Sequence, residues 1–287
     1  MPTTIPTTTS TARASLSPNA GDAYFETDTK KYIIYDGNYW RSYASDGSGG
    51  WSGSNTYSLN FDGTDDRLDA SSVVTPSATS GAISAWIKTT STAYQAIVST
   101  ADTSGTATWG WMAVYNNKLR ITFRESMGTV KIADGSTTIN DGNWHHVVAV
   151  SSGTAYSLYV DGSAETLTNS NNDGTWFGDL TSLTSTNIGS HVRTSAGTFF
   201  TGNIDEVAVW DSALSASQVT NIYKGESNGG SGGTNGTPGN LLSFNPKAWW
   251  RMGDGAEANS GTTIYDMSSF SNDMTMVSSP AYQADTP

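Results

Sequence analysis

From about residue 57 onward, apolar and polar residues alternate in short runs separated by turn formers, the pattern of antiparallel strands. Lys118–Arg124 (KLRITFR) is the clearest run. Leu119, Ile121 and Phe123 fall on one face, and Lys118, Arg120, Thr122 and Arg124 fall on the other, which predicts a solvent-facing side. This strand should pair with Trp109–Tyr115 across Asn116-Asn117, and 155–160 should turn through Asp161-Gly162 into 163–167. Further strands are expected at 57–61, 82–88, 95–99, 129–132, 144–150, 187–189, 198–202 and 206–210. A dozen short strands with turn-rich joins predict an all-β fold, a two-sheet antiparallel jelly-roll sandwich over residues 57–225. One short helix is marked at about 216–224. Ser215 and Gln218 form a capping box, Leu214 and Val219 a hydrophobic staple, and Gly225 supplies a stop.

The flanks follow a different pattern. Residues 1–20 hold only Ile5 and Leu16 among Thr, Ser and Pro, so they predict an extended arm. Residues 21–44 carry two aromatic-rich runs around Asp36-Gly37, a β-hairpin too small to stand alone in water. Its rings Tyr24, Phe25, Tyr32, Tyr35, Tyr39 and Trp40 should dock on something and are the candidate assembly anchor. Gly/Ser-rich stretches at 45–56 and 226–240 read as flexible linkers. Residues 241–287 include Leu241, Leu242, Phe244, Trp249, Trp250 and Met252, too apolar for solvent and too few for a core of their own. They should complete the sandwich or swap onto a neighbouring copy.

Composition narrows the function. Charged residues make up only 14 % of the 287, the formal net charge is −12, and no run of Lys or Arg interrupts it, which argues against a nucleic-acid partner. With no cysteine, disulfides, thiolate metal sites and cysteine nucleophiles are excluded. No apolar run approaches the ~20 residues of a bilayer-spanning helix, so no membrane insertion is expected. The N-terminus shows no basic-then-apolar secretion signal.

The motifs SLNFDGTDDRLDA (58–70), GAISAWIKT (81–89), DGNWHHVVAV (141–150), YSLYVDG (156–162) and GNIDEVAVWDSALSASQVTNIY (202–223) resemble the laminin G-like, concanavalin A-like family. The resemblance implies a fold shared by lectins, adhesion modules, glycosidases and passive structural domains. AWWRMGDG and the stretch after it resemble strands that in the family precede the NFDG strand; in this chain they come last. The 21–40 segment is similar to hairpin modules of bacteriophage fibre proteins. That likeness implies a virion location, as a capsid decoration or fibre-like appendage bound to other virion proteins and to copies of itself. A host-surface polysaccharide would then be a further partner, and a free-standing carbohydrate-binding lectin is the alternative.

Four groups of residues are candidates for chemistry. Retaining glycosidases of this fold carry Glu-x-Asp-x-x-Glu, but Asn203 and Ala208 occupy the two catalytic positions, so no catalytic residue is expected. His145 and His146 are adjacent on a strand and face opposite sides, which prevents joint metal ligation. Asp62, Asp65, Asp66 and Asp205 are a candidate structural calcium set, the alternative being that the first three are turn formers. Trp109, Trp111, Trp176 and Phe177 sit in or beside Gly/Thr-rich loops and are candidate sugar-stacking platforms, or else core packing. Trp86, Trp144 and Trp210 lie on patterned strands and read as core.

Overall fold

The computed structural model describes residues 6–13, 15–19, 22–27, 31–35, 40–44, 55–105, 107–126, 128–254 and 261–287. Two large antiparallel sheets face each other across a single apolar layer, the jelly-roll sandwich that the alternation predicts. One sheet runs, in hydrogen-bonded order, Thr168–Asn171, Lys131–Thr138, Lys118–Arg124, Trp109–Tyr115, Gln95–Ala101, Ser185–Ile188, Arg67–Ser71, Met274–Val277 and Thr263–Ile264. The other runs Ser163–Ala164, Tyr156–Val160, Trp144–Ser151, Gly81–Lys88, Thr201–Trp210, Ser58–Asp62 and Ala281–Gln283, with Ala248–Trp250 on the second half of Thr201–Trp210. Leu59, Phe61, Ile83, Ile87, Met112, Val114, Ile121, Phe123, Val147 and Ile204 meet between the sheets, none more than 1 % exposed.

Local chemistry explains the joins. Asn116 and Asn117 both adopt positive φ (49° and 66°), as do Asp161 and Gly162 (51° and 73°), so each pair forms the mirror-image turn whose twist suits a hairpin. Ser215 accepts the amide of Gln218, whose side chain reaches back to the Ser215 amide; the helix Ala216–Tyr223 follows, and Gly225 beyond it has φ 67°. Val219 and Ile222 press this helix onto the outer face of the second sheet beside Trp210 and Trp249.

The residues from 241 onward are built into the two sheets of their own chain. Ala248–Trp250 pairs with Val207–Val209, Met274–Val277 with Arg67–Asp69, and Ala281–Gln283 with Ser58–Asn60. Lys88 Nζ and Trp144 Nε1 hold Asp285 at 2.9 and 3.1 Å, so Trp144 is a half-buried edge residue and not a core one.

Several expectations need correction. Arg120 (7 % exposed) and Thr122 (3 %) are not solvent-facing, because a second set of side chains covers that face of the first sheet. The runs at 198–202 and 206–210 belong to one strand, Thr201–Trp210, broken in register by a bulge between Asp205 and Ala208 at which Glu206 takes φ 47°. The strand at 163–167 stops at Ala164, since Glu165 turns away to cap the amides of Ser136 and Thr137. Arg67–Ser71 and Thr168–Asn171 were not anticipated; both are polar strands with little apolar alternation. The 226–240 segment is tied back onto the helix and its neighbours: Gly236 donates to the Tyr223 carbonyl, and Asn228 donates to Ser243 Oγ at 2.8 Å.

At the N-terminus the arm is not simply extended. Thr7–Thr8 pairs in parallel with Phe25–Glu26, and a helical turn spans Ser10–Arg13, where Thr9 Oγ1 accepts the Ala12 amide. Backbone bonding thus orders a segment with nothing to bury. The hairpin is part of a four-stranded sheet that adds Ala23–Glu26, and its closing pair Tyr35↔Trp40 makes the connection four residues long, not two. Tyr24 and Phe25 are half-buried. Tyr39 and the side chains of Tyr32, Tyr35 and Trp40 lie outside the described residues, as do 45–54 of the first linker.

Candidate functional site

The outer face of the second sheet is occupied by the helix and the 241–249 segment, so the comparable face of the first sheet is the place to look for a ligand. Trp109 and Trp111 alternate with Met112 and Val114 along one strand; the latter pair enters the core and the tryptophans point outward. They lie on the strand expected at 109–115 and are only 8 % and 6 % exposed. Their rings meet edge to face at 5.7 Å, and His191 lies 5.5 Å from Trp109 and 4.3 Å from Trp111. Tyr94 packs on Trp111 at 4.8 Å and on Tyr115 at 4.7 Å. The Arg120 guanidinium stands 3.5 Å over the Tyr115 ring and is gripped by both oxygens of Asp134. A short hairpin, His191–Val192 against Ala196–Gly197, follows Ser190, whose carbonyl accepts Ser99 Oγ and ties it to this sheet.

The electrostatics of this patch are unusual. Trp109 Nε1, Trp111 Nε1 and His191 Nε2 are all closed off from solvent without a hydrogen-bond partner. Burial, helped by the charge of Arg193, pushes the His191 imidazole down to about 4, so the ring is neutral at physiological pH. Burial also raises the Tyr94 phenol, against the opposing pull of Arg120. Large rings with exposed edges at Tyr94 and Tyr115, a fixed guanidinium and unused donors are the ingredients of a sugar-binding surface.

Trp176 and Phe177 do not join this patch. Each is 1 % exposed and packs against Phe123, at 5.3 and 4.9 Å, in the core between the sheets. Tyr94, Tyr115, Arg120 and His191 were not anticipated as site residues. The available signal was Trp109-x-Trp111 itself, since two large rings on the outward side of a strand imply that something covers that side.

The acidic set divides. Asp62, Asp65 and Asp66 bring carboxylate oxygens within 4.8 Å of one another. Asp62 accepts the Thr64 amide at 2.7 Å, which holds its carboxyl below the usual range, and Asp66 accepts the Asp62 amide while burial raises its own. Asp205 is not a fourth ligand. Thr201 pairs with Asp62, so Asp205 lies four residues along the strand, roughly 13 Å away. Its carboxyl is fully buried, bonded by Asn55 Nδ2 and the Glu206 amide, and burial raises it well above the ordinary value. Asp62, Asp65 and Asp66 thus stand together as the candidate cation set, and calcium's six to eight oxygens would have to include backbone carbonyls or water beside these carboxylates.

At the glycosidase positions, Asn203 bonds to Asn60 and Ser58, and Ala208 is wholly buried. Glu206 between them is 2 % exposed and engaged by Trp249 Nε1 at 2.6 Å and Arg251 Nε at 3.0 Å. His145 bridges Asp161 and Asp141, which raises its imidazole, led by the Asp161 bond. His146 is buried against Trp86 and Tyr223 with neither nitrogen bonded, and burial lowers it to about 4. A depressed histidine supplies stability that is present above its unfolded value of 6.5 and is lost as pH falls towards 4. The loss is about 3 kcal/mol. Replacing His146 by Phe should flatten this stretch of the urea-midpoint profile relative to the parent. The parent comparison matters because the raised carboxyls of Asp205 and Asp266 act in the opposite sense.

Comparison with known proteins agrees with this architecture. The sequence profile described as the concanavalin A-like lectin/glucanases superfamily matches residues 62–220, more than half of the chain. A Bacteroides ovatus protein named for a proposed carbohydrate-binding role superposes with a TM-score of 0.54 at 16 % identity, covering 94 % of this chain and 70 % of its own. The CBM40 module of the Ruminococcus gnavus IT-sialidase gives 0.49 at 17 % identity over 59 % of this chain and 98 % of its own. A heptameric SAP-like pentraxin from Limulus polyphemus gives 0.44 at 19 % identity, over 58 % and 82 %. No curated protein sequence matches the chain. From the profile match and the sandwich together, the chain belongs to the concanavalin A-like lectin/glucanase superfamily.

Proposed function

We propose that the chain is a non-catalytic carbohydrate-binding module whose glycan site is the outer face of the nine-stranded sheet, at Tyr94, Trp109, Trp111, Tyr115, Arg120 and His191. The observation that carries this reading is one patch that combines five aromatic or imidazole rings with indole and imidazole nitrogens closed off and unpaired. Half-buried Tyr94 and Tyr115 offer ring surface to a sugar face, Trp111 supports Tyr94 and is itself backed by Trp109, and Arg120 is locked in place by Asp134. The empty carboxylate positions Asn203 and Ala208 support a binding role over hydrolysis. The Bacteroides ovatus neighbour supports the fold on which such a role rests. The virion location, the virion partners and the assembly role of the aromatic hairpin have no support from the relatives described above, and the lectin-like reading needs neither them nor a metal.

A glycan array on the full chain should identify a bound polysaccharide, and calorimetry should give a micromolar to millimolar Kd, with Tyr94→Ala and Tyr115→Ala each weakening it about tenfold. Both variants remove half-buried rings, so folding should survive. Silence across the array, or unaltered affinity in both variants, would overturn the assignment.

A further inference from the structure

The donors left unused in the patch carry the argument further, from glycan in general to a class of glycan; this step rests on the reading above. An indole N–H can only donate. Two of them, on Trp109 and Trp111, are buried side by side with no acceptor among the described residues, a state that costs free energy at each one. His191 Nε2 is a third unpaired nitrogen against the same two rings. The carboxylate within the patch, Asp134, is held by Arg120 and can serve none of them. Two residues beyond His191, on the 191–197 hairpin, Arg193 is exposed, and none of the described carboxylates forms an ion pair with it. The patch therefore holds two unpaired groups that can only donate and is edged by one positive charge outside any ion pair of the described residues.

We propose that this patch takes a saccharide bearing a carboxylate, such as a uronate, whose oxygens meet the Trp109 and Trp111 N–H groups while Arg193 pairs with the charge. A carboxylate accepts only, through two oxygens, which is the complement of this donor set. The N–H groups are closed off in the present arrangement, so binding requires the 191–197 hairpin to lift. The pairs His191↔Gly197 and Val192↔Ala196 lie within the hairpin itself; Ser99 Oγ on the Ser190 carbonyl and the Ala96 amide on the Thr198 carbonyl anchor its two ends to the sheet, so the part that lifts is the tip between them.

The test titrates the full chain with a uronic-acid oligosaccharide and with the same oligosaccharide after carboxyl reduction, read by tryptophan fluorescence and calorimetry. The acidic form should bind about tenfold more tightly. The gap should narrow as salt rises, because a charge pair at the rim is screened. Arg193→Gln, an exposed substitution that leaves the core untouched, should weaken the acidic ligand several-fold and leave the reduced one unchanged. Equal affinity for the two forms would overturn the acidic class while leaving the glycan reading standing. Binding of neither form would overturn both. A preference for the acid that Arg193→Gln does not diminish would overturn the pairing assigned to Arg193.

Discussion

Ending the chain at Asn240 should abolish cooperative folding, and Trp250→Ala in the full chain should lower stability by about 3–5 kcal/mol. The 241–287 segment contributes Leu241, Phe244, Ala248, Trp249, Trp250, Met252, Ile264 and Met274, none more than 5 % exposed. Trp250 is wholly buried between the sheets, and its indole N–H donates to the Asn272 carbonyl at 2.8 Å, so truncation to alanine leaves both a cavity and an unpaired acceptor. Loss of the segment also strips one of the two partners from each of Ser58–Asp62 and Arg67–Ser71. Against a typical domain stability of about 5–15 kcal/mol, deletion of two such tryptophans is enough to unfold the sandwich. Near-ultraviolet circular dichroism and urea titration would decide the matter. A truncated chain with a sharp, native-like transition would contradict this account of the C-terminal strands.

Arg251→Met should be almost as damaging, and in a way that depends on pH. Arg251 and Glu206 form an ion pair whose side chains are 3 % and 2 % exposed, fixed further by Trp249 Nε1 on the carboxylate and the Asp254 carbonyl on the guanidinium. Removing one member of such a pair leaves an uncompensated buried charge, worth about 3–5 kcal/mol. Burial already raises the Glu206 carboxyl, and the charge of Arg251 is the main force opposing that rise. Without it the folded-state value climbs further. A raised carboxyl favours the folded form fully below its unfolded value and loses that contribution as pH rises through the folded value. The variant's deficit should therefore be widest at neutral pH and close as pH falls through the two folded-state values, both above the ordinary glutamate value of 4.5. Adding Glu206→Gln should recover much of the neutral-pH loss, as coupled partners do in a double-mutant cycle. A deficit independent of pH would mean that the pair matters only for packing.

Most of the sandwich was legible in the sequence because its strands alternate and its turns use residues that accept positive φ. Lys118–Arg124, Trp109–Tyr115 and the Ser215 cap were plain for that reason. Arg67–Ser71 was not, because it holds one apolar core residue, Leu68, and gains its place from partners far away in the chain. The one-residue slip at Glu206 hid the unity of Thr201–Trp210, since a bulge reverses the alternation on which strand reading depends. Site residues were harder to find. Trp109 and Trp111 were noticed as rings on the expected 109–115 strand, whereas Tyr94, Arg120 and His191 reach them only through sheet pairing and a hairpin that local pattern does not encode.

The pairing of Ala281–Gln283 with Ser58–Asn60 also bears on how the protein is made. At ribosomal speeds of about 5–20 residues per second, roughly 10–45 s separate the synthesis of these two partners. For most of that time the Ser58–Asp62 and Arg67–Ser71 strands have open edges and the core lacks both tryptophans of Ala248–Trp250. The sandwich is therefore completed only after the bulk of the chain has emerged, with its earliest strands waiting on its latest.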